Sequence, residues 1–375
     1  MAGFNRRLAQ LSAQLDHHHS PRRPAPLLRS SASLIIIQPL PSITADGFNY
    51  QTLLIQRNPT QRSFSAAHVF PGGNLDQGDH HYHAFLSRTE PAPSSDPTSS
   101  NLQNALKLCA VRETFEEAGV LVGLSSGMDI PRSVLADFRE KLNDKTTQFS
   151  RIIEYLQSHA PGAEKKQGKI IDLDGLSHYA NILTPTVFSK RWDTHFYLAV
   201  LPSHSGTIEG EEHFDVATPD QSETVSVVWL SPAEALKRSL PGTASAQSDP
   251  YITLPPPQFY LLTELARWKD YRQLMDHNRH RTVCPFTPEL VKLSPSEGLV
   301  QFFIAFPGDP LHPSSPDLYR NMAVEDHGGS LIHRIHVRQE SSDFGSQPGQ
   351  FFRPLRLQRS GMHRLFGKGW EDLVD

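Results

Sequence analysis

The chain has 375 residues, of which 38% are hydrophobic and 20% charged, with a formal net charge of −4. This length provides for a full hydrophobic core and exceeds one minimal domain. A slightly negative charge gives no broad surface for polyanions, so nucleic acid is disfavoured as a partner. No apolar stretch approaches the roughly 18 residues of a membrane span. Two cysteines, Cys109 and Cys284, do not form a disulfide framework, and we expect both to be buried in a soluble protein.

Residues 1–32 are predicted to be a flexible basic targeting segment. They contain five arginines and one acidic residue among Ser and Pro. The stretch from Arg7 to Leu15 resembles the nonapeptide peroxisomal targeting signal of the second type. As a helix it places three leucines on one face, where an import receptor could recognise them. The prediction is therefore the peroxisome, and the alternative is the mitochondrion, because the composition also fits a mitochondrial presequence.

The next part of the chain combines a buried strand with a tight turn. Leu34 to Ile37 is an apolar run that predicts a short buried strand. Phe70-Pro71-Gly72-Gly73 ends a second apolar stretch at a Gly-rich turn, and Asp79 follows six residues after Gly73. Beyond it, Pro91 to Ser100 is rich in Pro and Ser without apolar periodicity, which predicts a flexible excursion.

The most informative stretch is V-R-E-T-F-E-E-A-G-V at residues 111–120. At about 100° per residue, Glu113, Glu116 and Glu117 lie on one side of a helix, opposite an apolar stripe. Like charges at these spacings repel by roughly 0.2–0.5 kcal/mol per pair. A hard cation such as Mg²⁺ or Mn²⁺ reverses that cost, because it takes carboxylate oxygens as ligands. A lone E-x-x-E-E run would more often be a solvated acidic face, so the metal site depends on the residues upstream.

Together, the Gly-rich turn, Asp79 and this helix resemble the Nudix box, G-x5-E-x7-R-E-U-x-E-E-x-G-U, with U apolar. The second half, from Arg112 to Val120, matches at every fixed position. The chain departs from the pattern in two ways. Asp79 replaces the first Glu, and residues 80–111 replace the seven-residue spacer.

The resemblance implies a metal-dependent hydrolase of diphosphate bonds. It assigns the metal and the catalysis to Glu113, Glu116 and Glu117, with Arg112 orienting the glutamates, and it leaves Asp79 as an outer-sphere or secondary ligand. In the family a separate general base often sits on a later loop. The candidates here remain unranked: Glu209, Glu211, Glu212 and Glu223.

The residues before the turn narrow the substrate class. The spacing L-L-x-x-R-x4-R-x3-A-x3-F-P-G-G resembles the extra signature of the coenzyme A diphosphatase branch, in which Gly stands at the position of Ala66. A spacer inside the Nudix box is a feature of the peroxisomal members of that branch. The resemblance implies that Arg57, Arg62, Gly72 and Gly73 bind the substrate. A guanidinium matches phosphate oxygens, and coenzyme A offers a diphosphate and a 3′-phosphate.

The pattern after the box predicts an α/β fold, a Nudix-type α/β/α sandwich with a mixed sheet. The Nudix domain is expected at residues 33–280, with an insertion at about 80–103. Residues 281–375 are expected to form a β-rich extension, packed on the core or at a homodimer contact. The periodicity predicts these elements: helices at 131–141, 149–159 and 258–268 and after Ser231, and strands at 194–201 and 223–230.

Three functions remain open from the sequence. The first is hydrolysis of coenzyme A or acyl-coenzyme A to 3′,5′-ADP and 4′-phosphopantetheine or its acyl form. The second is hydrolysis of another small-molecule diphosphate, such as ADP-ribose or NADH, or of capped RNA. The third is a Nudix fold that only binds its ligand, which the intact carboxylates disfavour.

Overall fold

The computed structural model describes residues 28–60, 66–84, 100–124, 130–144, 147–159, 171–202, 217–240, 250–293, 301–309, 312–314, 332–342 and 349–360. Within this part of the chain, every helix is too short or too polar to cross a membrane. Several predictions concern residues outside these ranges: the targeting stretch 7–15, Arg62, and the candidate bases Glu209, Glu211 and Glu212.

Eight strands form a mixed sheet whose main path runs β3-β2-β1-β6-β5-β8, with β4 paired to β1 and β7 paired to β2. A second, antiparallel sheet follows in the order β12-β11-β10-β9. The strands are β1 Leu28–Pro39, β2 Tyr50–Arg57, β3 His68–Val69, β4 Gly72–Asn74, β5 Ser177–Leu183, β6 Arg191–Val200, β7 Thr224–Leu230, β8 Pro285–Phe286, β9 Glu289–Leu293, β10 Gln301–Ala305, β11 Ile332–Ser342 and β12 Gly349–Ser360.

Strand β1 organises the main sheet. It runs parallel to β6, from Leu28 opposite Arg191 to Ile37 opposite Val200, and antiparallel to both β2 and β4. The predicted boundary between a flexible segment 1–32 and the folded domain is therefore wrong for residues 28–32. These residues lack the apolar run of the following stretch, but their backbone groups pair with two neighbouring strands, which extends the strand toward the N-terminus.

Helices cover both faces of this sheet. Their bounds are α1 Ser100–Ala118, α2 Arg132–Asn143, α3 Phe149–His159, α4 Pro232–Ser239, α5 Pro256–Leu265 and α6 Tyr271–Arg279, with 3₁₀ helices at Gln77–Ala84 and Leu173–Gly175. Leu34 and Ile36 pack in the buried cluster that contains α1, whereas Ile35 and Ile37 pack in the cluster that contains α5. Successive side chains of this strand therefore point alternately into two hydrophobic cores, one on each face of the sheet. This arrangement confirms the α/β/α sandwich.

The C-terminal extension contacts the core through apolar and aromatic side chains. The ring of Tyr260 on α5 stacks on Phe306, with the ring centroids 4.4 Å apart. Ile304 and Ile335 belong to the same buried cluster as the residues of α5. Of the two predicted cysteine environments, burial is right for Cys109 and wrong for Cys284, which is exposed just after α6 in a segment without regular structure.

Ala66 has a backbone φ of +56°, in the left-handed region. A left-handed conformation costs a non-glycine residue about 1–2 kcal/mol. The coenzyme A diphosphatase signature has Gly at this position, which removes that cost. The alanine at this position therefore adds backbone strain that the glycine of the signature avoids.

We expect Ala66→Gly to raise the free energy of unfolding by up to about 1 kcal/mol, because relief of the strain exceeds the added chain entropy of glycine, about 0.4–1 kcal/mol. Urea unfolding followed by circular dichroism measures this change. The matched control is Ala67→Gly at the next residue, which is fully buried and has no left-handed φ. This control should lower the stability. An equal loss in both variants would contradict the prediction.

Candidate active site

The carboxylates of helix α1 lie on the face opposite the core, because its apolar face packs into the core. The predicted apolar stripe is confirmed, since Leu108, Val111, Phe115 and Ala118 are all buried. The opposite face carries the three glutamates. Their side chains have exposures of 15% for Glu113 and 27% for Glu116, and Glu117 as a whole residue is 4% exposed.

Arg112 is the centre of the site. Its Nε and Nη2 atoms donate to the two carboxylate oxygens of Asp79 at 2.8 and 2.9 Å. Its Nη1 atom donates to Glu113 Oε1 at 2.9 Å and to Glu116 Oε1 at 3.3 Å. The Nη2 atom also donates to the backbone carbonyl of Asn74 at 3.1 Å. One guanidinium therefore bonds to three carboxylates and to the end of β4. The part of Arg112 in catalysis remains a prediction.

Asp79 is almost completely buried, in the 3₁₀ helix Gln77–Ala84. Its Oδ2 atom accepts a hydrogen bond from the backbone N–H of Asp76 at 2.8 Å, in addition to the two from Arg112. These contacts use both carboxylate oxygens and are those of a residue that holds Arg112 in place. A further part as an outer-sphere or secondary ligand remains a prediction.

The two glycines of the turn face the glutamates. The backbone N–H of Gly72 donates to Glu117 Oε2 at 2.8 Å. A Cβ atom at Gly73 would fall on the carboxylate group of Glu113. A side chain at position 73 would therefore push the Glu113 carboxylate away from its place beside Arg112. Both glycines also pair with β1, Gly72 with Ser33 and Gly73 with Ala32, and their predicted binding of substrate remains a proposal.

Burial gives the glutamates unusual electrostatics. It raises the pKa of Glu113 to about 7, against the opposing effect of Arg112, and burial likewise raises the pKa of Glu116. The pKa of Glu117 is raised well above its ordinary value, first by burial and then by the charge of Glu113. Removing carboxylates from water disfavours their ionised form unless positive charge compensates.

The donor set fits a hard divalent cation. In the described part of the chain, no three His, Cys, Asp or Glu side chains lie close enough together to form a ready-made metal cluster. However, all donors are carboxylate oxygens, which Mg²⁺, Mn²⁺ and Ca²⁺ prefer. They are also buried with too little positive charge nearby, as the raised pKa values of Glu113 and Glu117 indicate. A cation among them would compensate that charge.

Two residues at the edge of the site show which charges surround it. Arg57 ends β2 opposite Thr224 of β7, and its charge lowers the pKa of Glu117. Glu223 is an exposed residue just before β7, and its negative charge raises the pKa of Glu116 and of Glu117. Glu223 is thus the candidate base that the structure describes, and it lies within electrostatic reach of the glutamates.

Sequence reasoning missed the residue that holds the end of α1. Arg139 of α2 donates from Nε to the carbonyl of Glu116 at 2.9 Å and from Nη2 to the carbonyl of Glu117 at 2.8 Å. No motif in the sequence links a residue on a later helix to these carbonyl groups. Only the packing of α2 against α1 brings them together.

The chain is similar in sequence to known proteins. The model of the NUDT19 Nudix domain family matches residues 83–267. Acyl-coenzyme A diphosphatase NUDT19 of Gallus gallus is 26% identical over 352 residues, which cover 78% of this chain and 84% of that protein. The Homo sapiens protein of the same name is 28% identical, with 74% and 76% covered. A crystal structure of a NUDIX hydrolase from Alicyclobacillus acidocaldarius, 22% identical, covers 67% of this chain and 96% of that chain with a TM-score of 0.46.

The similarity to these proteins supports an enzyme that hydrolyses diphosphate bonds, and the sandwich with its carboxylate helix resembles Nudix hydrolases, which generally use divalent metal ions. Within that class, the chain resembles the coenzyme A diphosphatase branch.

Gly73→Ala tests the close approach of β4 to α1. The new methyl group would displace the carboxylate of Glu113 from Arg112, so we expect metal affinity and turnover to fall about 10-fold or more while the fold survives. Calorimetric titration with Mn²⁺ and a melting curve measure the two effects. Gly78→Ala is the matched control, because a Cβ there meets only Asp76 at an ordinary 3.4 Å. Equal metal affinity in Gly73→Ala and wild type would refute the steric argument.

Proposed function

We propose that this chain hydrolyses the diphosphate of coenzyme A or acyl-coenzyme A, giving 3′,5′-ADP and 4′-phosphopantetheine or its acyl form, with Mg²⁺ or Mn²⁺ as the metal. The observation that carries the proposal is the buried carboxylate set around Arg112, placed directly against the Gly-rich turn. The substrate rests on the similarity to acyl-coenzyme A diphosphatases over most of the chain. The signature around Arg57 adds a sequence argument for coenzyme A.

Each residue of the site has a distinct part in this reaction. A bound divalent ion would supply charge neutralisation at the diphosphate oxygens. Glu113, Glu116 and Glu117 would hold that ion. Arg112 fixes the first two through its Nη1 atom, and the N–H of Gly72 fixes the third.

A proton must also leave the attacking water. Glu223 is exposed, so water reaches its carboxylate, and its charge acts on Glu116 and Glu117. We assign it the role of proton acceptor. The other three candidates, Glu209, Glu211 and Glu212, lie outside the described residues.

Two alternatives follow from the same site. Another nucleoside diphosphate derivative, such as ADP-ribose, NADH or capped RNA, would use the same carboxylates, because they act on the diphosphate that these compounds share. A binding module without catalysis has no need for three carboxylates whose pKa is raised by burial, because their ionised forms lower stability at neutral pH in the absence of a cation. The geometry therefore favours an enzyme.

The proposed location is the peroxisome, through recognition of Arg7 to Leu15 by an import receptor. The support is the sequence pattern alone, and the mitochondrion is the alternative.

Glu117→Gln tests the catalytic assignment. Glutamine keeps the size of the side chain and an oxygen that can accept the Gly72 hydrogen bond, but it loses the charge. We expect kcat for coenzyme A to fall about 100-fold or more. The metal-free variant should be at least as stable as wild type at pH 8, because burial raises the pKa of Glu117 and ionisation there lowers stability.

The control for this variant is Glu140→Gln, the same exchange at an exposed position on α2. It should leave kcat and the melting temperature unchanged. Near wild-type turnover by Glu117→Gln at saturating Mg²⁺ would contradict the assignment of Glu117 as a metal ligand.

Substitution of Arg57 tests whether the enzyme distinguishes coenzyme A from diphosphates that lack a 3′-phosphate. If its guanidinium binds the 3′-phosphate, Arg57→Ala should lower kcat/KM for coenzyme A far more than for 3′-dephospho-coenzyme A, since each charge-assisted hydrogen bond contributes about 1.5–3 kcal/mol. If it contacts only the diphosphate or Glu117, both substrates should suffer equally. The ratio of kcat/KM values for the two substrates decides between them. Arg151→Ala, on an exposed face of α3, serves as the control.

A further inference from the structure

The carbonyl groups at the C-terminal end of α1 belong to the catalytic glutamates themselves. The last four carbonyl groups of a helix have no partner within it. Here the carbonyl oxygens of Glu116 and Glu117 accept hydrogen bonds from Arg139 at 2.9 and 2.8 Å. The carbonyl of Glu117 also accepts one from Thr224 Oγ1 at 2.9 Å. The backbone of two proposed metal ligands is thus fixed from outside the helix.

The same guanidinium reaches the loop that carries Glu223. Its Nη1 atom donates to Thr218 Oγ1 at 2.8 Å, and its Nη2 atom donates to the carbonyl of Thr218 at 2.7 Å. The N–H of Thr218 in turn donates to the carbonyl of Ala118 at 2.9 Å. Arg139 therefore connects three elements: α2, the end of α1, and the loop before β7.

Charge and space both suit a guanidinium at this place. A positive group at the C-terminal end of a helix opposes the negative end of the helix dipole. Gly119 has a left-handed φ of +73°, which ends α1, and a Cβ there would lie 3.0 Å from Arg139 Nη1. The glycine thus both ends the helix and leaves room for the arginine. A lysine has a single ammonium group, so it cannot reproduce these four hydrogen bonds.

We propose that Arg139 is a positioning residue of the active site, which sets Glu116, Glu117 and Glu223 in register with one another. This inference rests on the proposed function, because the register matters only if these glutamates bind a metal and accept a proton. Arg139 acts through the backbone of α1 and through Thr218, without touching the substrate.

Arg139→Lys tests the proposal in the full-length chain. We expect Mn²⁺ affinity, measured by calorimetry without substrate, to weaken about 10-fold or more, as for other residues that orient metal ligands. With coenzyme A, kcat should fall while KM changes little, because substrate contacts lie elsewhere. Arg151→Lys on the exposed face of α3 is the matched control and should behave as wild type.

Thr218→Val provides a second test if Arg139→Lys does not fold. It removes the Oγ1 acceptor while leaving the backbone bonds, so we expect a smaller loss of Mn²⁺ affinity and kcat in the same direction. A folded Arg139→Lys with wild-type Mn²⁺ affinity, even one with a lower melting temperature, would overturn the proposal, as would an unchanged Thr218→Val. If wild type binds Mn²⁺ without cleaving coenzyme A, the proposed function fails, and the Mn²⁺ titration still tests the positioning of Glu116 and Glu117.

Discussion

The buried ion pair between Arg112 and Asp79 is the interaction on which the site depends. The side chains are 13% and 2% exposed, and both nitrogen–oxygen contacts are shorter than 3 Å. Removal of one partner from such a pair leaves an uncompensated buried charge, which typically costs 3–5 kcal/mol. Because Glu113, Glu116 and the end of β4 are also bonded to Arg112, the geometry of the glutamates follows from this pair.

The same ion pair explains how the box tolerates its long spacer. Asp79 and Arg112 are separated by 33 residues in sequence, yet the two side chains meet at 2.8 Å. The 3₁₀ helix Gln77–Ala84 contacts α1 and α3, so the chain is anchored on the core at the N-terminal side of the long spacer. Closing a longer loop costs only about 0.6 kcal/mol per doubling of length. An insertion between two anchored ends therefore leaves the catalytic geometry in place.

The sequence predicted those parts of the molecule that follow from local periodicity. The apolar stripe of α1, the buried strand around Leu34 to Ile37 and the start of α4 after Ser231 all depend on residues close in sequence. The predicted helices and strands from 131 to 268 are confirmed to within three residues at their ends. The second half of the Nudix-like pattern was recognisable because its residues, from Arg112 to Val120, are consecutive in sequence.

Features that depend on contacts between distant parts of the chain could not be predicted from the sequence. The N-terminal start of β1 at Leu28 is set by pairing with Arg191 of β6 rather than by its own residues. The contact of Gly73 with Glu113 needs the approach of a strand to a helix 40 residues later. Arg139 carries no motif, and only the packing of α2 shows its role. Each case is a tertiary contact between two distant segments, and no local pattern in either segment indicates that they meet.

The central claim is that these carboxylates serve the hydrolysis of coenzyme A. It is tested most directly by incubating the purified protein with equal concentrations of coenzyme A, acyl-coenzyme A, NADH, ADP-ribose and capped RNA, with Mg²⁺ or Mn²⁺ and with a chelator, and identifying the products by mass spectrometry. The account predicts that coenzyme A and its acyl form have the highest kcat/KM, that 3′,5′-ADP is released, and that the chelator abolishes the reaction. Preferential cleavage of any other compound, or cleavage of coenzyme A that persists in the chelator, would contradict it.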